Sequence, residues 1–159
     1  MSHLDVVAVG GERATHPIFF DDYVLGMRFQ SPTRRIADDD VRAYVRFSND
    51  VRPIFDGAPS GGLAVPQMYL FSLGVSMLLH GDPGYIPEQF VAFYGFESIN
   101  FHGAATGGTS IRSEAVVTGL TPRSTTGLVA YRHETTTEDG RILVSSEQSI
   151  LVRRRGANA

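Results

Sequence analysis

Asp50 is the residue of this sequence best placed to do chemistry. It lies in the run Phe47-Ser48-Asn49-Asp50-Val51-Arg52-Pro53-Ile54-Phe55, between an amphipathic segment and a turn-rich stretch that carries Pro53, Pro59 and Gly61-Gly62. The most apolar helical segment of the chain follows. A carboxylate on a loop just before a helix start joins a titratable group to backbone N–H groups aimed at one spot. Those are the two requirements of acid/base chemistry. The competing reading is an aspartate that caps a helix or closes a turn. Burial beside Phe47 and Phe55 would raise its pKa toward the useful range, and Arg52 would lower it. Asn49 and Arg52 are the candidate polar partners of a substrate carbonyl or of Asp50 itself. Arg52 is equally readable as a surface residue.

The elements that position this run can be read in order. Residues 1–17 read as a leader, with Gly10-Gly11 breaking regular structure. Phe19, Phe20, Tyr23 and Leu25 form an apolar cluster, and Met27 to Ile36 reads as one short strand. Asp38, Asp39 and Asp40 open a helix, and one of them is expected to cap it. Val41, Tyr44 and Val45 have helical spacing. Ala64 to His80 reads as one helix, with Pro66 tolerable in its first turn. Its apolar residues surround it almost completely, so it is expected to be buried.

The second half alternates. Phe90–Phe101, Ser110–Leu120, Thr126–Thr137 and Arg141–Arg153 are rich in β-branched and aromatic residues, and turn signals such as Glu138-Asp139-Gly140 separate them. The expectation is an α+β fold, a curved antiparallel sheet wrapped around one long central helix.

Composition excludes several function classes. The chain of 159 residues has a formal net charge of -3, no cysteine and no lysine. Schiff-base and thiolate chemistry are therefore absent. The only basic run, Arg153-Arg154-Arg155, reads as a solvated tail, so no nucleic-acid partner is expected. No apolar run is long enough to span a membrane, and the N-terminus lacks a signal-peptide pattern, so a cytoplasmic location is expected. No histidine pair has metal-ligand spacing, and no glycine fingerprint for a dinucleotide occurs. No metal or cofactor is expected.

The order of elements, with the run at Asp50, resembles the MaoC-like branch of the hot-dog fold, the (R)-specific enoyl-CoA hydratases and 3-hydroxyacyl dehydratases. The family run reads aromatic, small residue, Ser, Gly-Asp, any residue, Asn-Pro, aliphatic, His. The run Phe47 to Phe55 corresponds to it, and the spacing from Asp50 to the final position, Phe55, is kept. Phe20-Asp21-Asp22-Tyr23 to Gly26-Met27, Ile36 to Val41, Ile99 to Ser110 and Val144 to Arg154 resemble other family segments. The resemblance covers residues 18–155, a single hot-dog domain followed by a tail at 156–159. It departs at three positions, with Phe55 where the family has its catalytic histidine, Arg52 for the asparagine and Asn49 for the glycine.

The resemblance implies an enzyme acting on an acyl thioester, carried by CoA or a carrier protein, or on a polyketide-type substrate. Hydration, dehydration or another proton transfer would run through Asp50. A backbone N–H at the start of the central helix would hold the thioester oxygen. Gly62 is one candidate for it; if Pro66 holds that position instead, the donor is missing. His102 is the histidine to test as a replacement for the missing one. The alternatives are a non-catalytic acyl-binding subunit beside an active homologue, and a specialised-metabolism cyclase reusing the pocket. Thioesterase activity needs a carboxylate on the central helix, and 64–80 has none. A homodimer is expected, because a lone unit of this fold leaves a strand edge unpaired.

Overall fold

Alternation and turn chemistry in the second half of the chain build most of the sheet. The computed structural model describes residues 6–7, 13–14, 16–50, 52 and 62–157. Within them, β1 (Val6–Val7) pairs antiparallel with β2 (Arg13–Ala14), a short ladder inside the stretch expected to lack regular structure. A 3-10 turn at Phe20–Asp22 follows, then β3 (Arg28–Gln30) and β4 (Arg34–Arg35). The helices are α1 (Asp38–Ser48) and α2 (Gln67–Gly81). The meander is β5 (Phe90–Phe101), β6 (Ser110–Pro122), β7 (Thr126–Thr137) and β8 (Ile142–Arg153).

All pairings in the large sheet are antiparallel, in the order β3-β6-β7-β8-β5, with β4 also on β6. Strands β6 and β7 alternate buried and half-exposed positions along much of their length, and α2 packs on the buried face. This is the α+β arrangement expected from sequence, one sheet around one central helix.

Four expectations need correction. The strand read over Met27 to Ile36 is two strands, because Ser31-Pro32-Thr33 interrupts it and proline offers no ladder N–H. The N-cap of α1 is Ala37, with no side-chain cap. All three aspartates lie in the first turn, where the helix dipole favours them. Helix α2 starts at Gln67, not Ala64, because Ala64 bridges Thr106 and the Val65 N–H donates to the Ala105 carbonyl at 3.0 Å. Its burial is one-sided within the chain: Leu70, Phe71, Leu73, Gly74, Met77 and Leu78 are buried, whereas Met68 is half exposed.

The terminal arginines are not simply solvated. Arg154 donates through Nε and Nη2 to Asp21 Oδ1, at 3.1 and 2.9 Å, and the Arg155 guanidinium lies 4.6 Å from the Phe19 ring centre. The end of β8 thereby clamps the 3-10 turn.

The core has two apolar groups, one around Phe29 and Tyr131 and the other around Leu70 and Leu143. A buried polar ladder runs between them. Ser113 Oγ bonds Thr135 Oγ1 at 3.1 Å, Thr135 Oγ1 bonds His133 Nε2 at 3.3 Å, and His133 Nδ1 bonds Ser146 Oγ at 3.3 Å. Burial pushes the His133 pKa down to about 4. It is a neutral core histidine whose ring nitrogens both have partners.

Candidate active site

The two helices meet in a cleft of about 690 Å³. Its walls come from the end of α1 (Tyr44, Ser48, Asn49), from Asp50 and Arg52, from Ala64 to Met68 at the mouth of α2, and from Ala104 and Ala105. Helix α1 ends there because Asn49 adopts the left-handed conformation, φ 54°, which asparagine tolerates better than most residues. The Asp50 N–H then turns back to the Val45 carbonyl at 3.1 Å. Tyr44 stacks on Tyr69 with ring centres 5.0 Å apart, tying α1 to α2.

The mouth of α2 is held by long-range contacts. Leu63 N–H donates to Asp38 Oδ1 at 3.0 Å, and Gly107 N–H donates to the Leu63 carbonyl at 2.7 Å. Asp38, read from sequence as one of three aspartates opening a helix, thus anchors the segment that leads into α2.

Gly62 has φ +86°, and a Cβ there would lie 2.2 Å from the Gly107 carbonyl oxygen. It is a packing glycine five residues before α2 and does not line the cleft. Pro66 is the N-cap residue of α2 and does line it. The first residues of α2 that carry an N–H are therefore Gln67 and Met68, both on the cleft wall.

The Asp50 carboxylate is engaged on both oxygens. Arg52 donates from Nε to Oδ1 at 2.8 Å, from its backbone N–H to Oδ1 at 3.3 Å, and from Nη2 to Oδ2. This hydrogen-bonded guanidinium holds the Asp50 carboxyl below the usual carboxylate range. The Asp50 side chain is 19% exposed and that of Arg52 is 66% exposed. Of the two opposing influences expected from sequence, Arg52 prevails. Phe47 cannot supply burial, because it is 88% exposed. At neutral pH Asp50 is an ionised group, and its pairing with Arg52 makes it a weaker base than an unpaired carboxylate.

Of the other residues singled out from sequence, Asn49 joins Asp50 and Arg52 on the cleft wall. His102 does not: its Nε2 bonds Ser145 Oγ at 2.7 Å, between β5 and β8. Phe55 lies outside the described residues. Sequence reading did not assign Tyr44 or Gln67 to the site. Tyr44 and Ser48 are four apart on α1 and share a face, which was a usable signal. Gln67 becomes a wall residue only because α2 begins there. Among the described residues no cluster of three or more potential metal ligands occurs, and no helix is long and apolar enough to cross a membrane.

The architecture is that of a single hot-dog domain. No protein-family model and no curated protein matches the sequence. Solved structures do match the fold. A monoamine oxidase regulatory protein from Archaeoglobus fulgius superposes with TM-score 0.76 at 20% identity, over 89% of this chain and 98% of that one. A MaoC-like dehydratase from Rhodospirillum rubrum gives TM-score 0.73 at 21% identity, over 87% and 99%. An R-hydratase from Pseudomonas aeruginosa gives 0.66 at 17% identity, over 87% of each chain. At these identities the likeness establishes the fold, shared with MaoC-like dehydratases and R-hydratases.

Proposed function

We propose that this protein is a MaoC-like enzyme that acts on an acyl thioester, or on a polyketide-type substrate, with Asp50 as its proton acceptor. One observation carries the reading: Asp50 lies in a cleft at the mouth of the central helix, on a fold that R-hydratases and dehydratases also use. Asp50 takes a proton from water or from the carbon next to the thioester carbonyl. In the second case the electron pair left on carbon delocalises onto the carbonyl oxygen. The N–H groups of Gln67 and Met68, at the positive end of α2, are the donors available to that oxygen. Asn49 and Tyr44 orient the acyl group. The thioester is carried by CoA or by a carrier protein, and residues 18–155 form the domain that does the work.

The chemistry is asymmetric. Among the described residues of the cleft, Asp50 is the only carboxylate and no histidine is present. A hydratase-type reaction divides acid and base duties, so the lack of an acid partner among these residues favours reactions that need a proton acceptor alone. The same feature supports a second reading, a non-catalytic acyl-binding subunit. Asp50→Asn separates the two. An enzyme loses about a hundredfold or more of its turnover with the fold retained, whereas a binder keeps its acyl-ligand affinity within a few-fold. Unchanged turnover on an identified substrate would remove Asp50 from the mechanism.

A second copy completes the molecule in this proposal. Strand β5 is an edge of the sheet, 12 residues long, and Glu97 is its only charged residue. Val91, Phe93, Tyr94 and Phe96 are each more than 40% exposed. Long apolar edges are normally charged, shortened or paired, so β5 is assigned to a homodimer contact.

A further inference from the structure

We propose that the acyl group taken by this cleft is of the arylacetyl type, with an aromatic ring on the carbon that gives up its proton, and that Tyr44 selects it by stacking. The inference rests on the reading of the cleft as the reaction site and deepens it by naming the substrate class.

A ring entering the cleft meets an aromatic partner already held in place. Tyr44 lines the cleft and is half exposed. Tyr69 of α2 packs against it, with ring centres 5.0 Å and planes 33° apart, so two helices fix the Tyr44 ring. A rigid aromatic side chain loses little conformational freedom when a ligand covers it. Met68, half exposed on the same wall, adds a thioether, which makes favourable contacts with aromatic rings.

The rest of the lining suits a long hydrocarbon chain poorly. No Leu, Ile or Phe lines the cleft among the described residues, and Ala64, Ala104 and Ala105 are short. Such walls offer little apolar area to a flexible chain. Asn49 and Gln67 place amide groups on the wall. A hydrocarbon chain lying over them would strip their water and replace none of its hydrogen bonds. The edge of an aromatic ring carries partial positive charge and tolerates an amide oxygen beside it.

The path of the chain sets the distance from ring to base. Helix α1 ends at Ser48, one turn after Tyr44, and Asn49 reverses the chain. The Asp50 N–H then reaches back to the carbonyl of Val45, the residue after Tyr44, at 3.1 Å. Asp50 is thereby returned to the turn that carries the ring. A ligand ring stacked on Tyr44 lies close to the reacting carbon and not at the end of a long chain. The chemistry asks for the same arrangement. The Asp50 carboxyl is held below the usual carboxylate range, so it is a weak base. When the C–H bond breaks and the proton passes to an Asp50 oxygen, an aryl group on that carbon shares the electron pair with the thioester carbonyl. That makes the proton easier to remove and offsets the weakness of the base.

The probes are the N-acetylcysteamine thioesters of phenylacetate, cyclohexylacetate and hexanoate, which carry the end of the arm common to CoA and carrier proteins. Each is titrated into the purified protein by NMR. The phenylacetyl thioester is expected to bind about threefold or more tightly than the cyclohexylacetyl one, the scale of one aromatic pair. The cyclohexyl group matches the phenyl group in size but has no flat face. Phenylacetyl should also exceed hexanoyl. Tyr44→Leu should abolish the preference and Tyr44→Phe should keep it, with circular dichroism verifying each fold. The inference is overturned if the cyclohexylacetyl or hexanoyl thioester binds as well as the phenylacetyl one, if wild type binds none of the three, or if folded Tyr44→Leu keeps the preference. Exchange of the phenylacetyl α-protons in deuterated water, followed by NMR, separates this inference from the reading it rests on. Asp50→Asn is expected to slow that exchange by about a hundredfold or more. Exchange that depends on Asp50 without a ring preference would leave the mechanism and remove this substrate class. A Tyr44-dependent ring preference with exchange indifferent to Asp50 would sink the mechanism and leave the substrate class standing.

Discussion

Gly74 of α2 faces Thr135 of β7 so closely that a methyl group on the glycine would lie 2.1 Å from Thr135 Oγ1. The same methyl would lie 3.0 Å from Ser113 Oγ. The helix can approach the polar ladder only where it has no side chain. Although alanine is the better helix former, Gly74→Ala is expected to destabilise the protein by about 1–3 kcal/mol, the usual cost of overpacking. Urea unfolding measures this. In a Thr135→Ala background the cost should shrink, since the clashing oxygen is absent. Equal costs in both backgrounds would mean that the helix shifts to make room.

His133 makes stability depend on acid. Its folded pKa is depressed to about 4, against an ordinary value of 6.5. Above pH 6.5 the ring is neutral in both states and the full stability is present. As pH falls from 6.5 toward 4, the unfolded chain binds a proton that the folded chain refuses, so stability is lost through that window. The loss is on the order of 3 kcal/mol by pH 4. Denaturation midpoints measured between pH 7 and 4 should fall in wild type and flatten in His133→Gln, once the carboxylate contribution common to both is subtracted. Parallel profiles would rule His133 out as the source.

Hydration of crotonyl-CoA is expected to be at least a hundredfold below the ~10 per second of a typical enzyme. Asp50 has no acid partner among the described cleft residues, and removing one member of a catalytic unit commonly costs orders of magnitude. A spectrophotometric assay of the enoyl thioester measures it. On the proposed reading, Phe55→His places a histidine where the MaoC-like run carries one, and it should raise the rate. A full rate in wild type would show that another group supplies the proton.

The protein is expected to sediment as a dimer at micromolar concentration. Val91→Glu combined with Phe93→Glu places two like charges on β5 in each copy and should give a folded monomer. A monomeric wild type would refute the assignment of this edge.

The parts of the fold legible in sequence are those set by local pattern. The meander strands from Phe90 onward were marked by their β-branched and aromatic content and by turn residues, and both are local. The start of α2 was misread because the N–H of Val65 is taken by the carbonyl of Ala105, a partner far along the chain. The terminal arginines were misread for the same reason, since Arg154 meets Asp21 across 133 positions. At the site, Asp50 was legible as a carboxylate ahead of a helix mouth. The balance of its pKa was not, because it depended on Phe47 facing solvent and on Arg52 folding back. His102 was a fair candidate by position along the chain, but Ser145 claims its ring nitrogen.

The polar ladder also has a meaning for how the chain finds its pairing. Apolar alternation alone distinguishes a strand from its neighbour shifted by one residue, which would turn every side chain over. It does not distinguish a shift by two, where inside stays inside. His133 lies opposite Ser146, and Thr135 lies opposite Val144. Sliding β8 by two positions would set His133 against Val144 or Gln148 and strip Ser146 from its ring nitrogen. That leaves buried polar groups without the partners they have in the native sheet, at a cost of about 1–3 kcal/mol for each unmet group. The row Ser113, Thr135, His133 and Ser146 therefore acts as an alignment mark, written in hydrogen bonds across strands whose apolar residues would accept more than one reading.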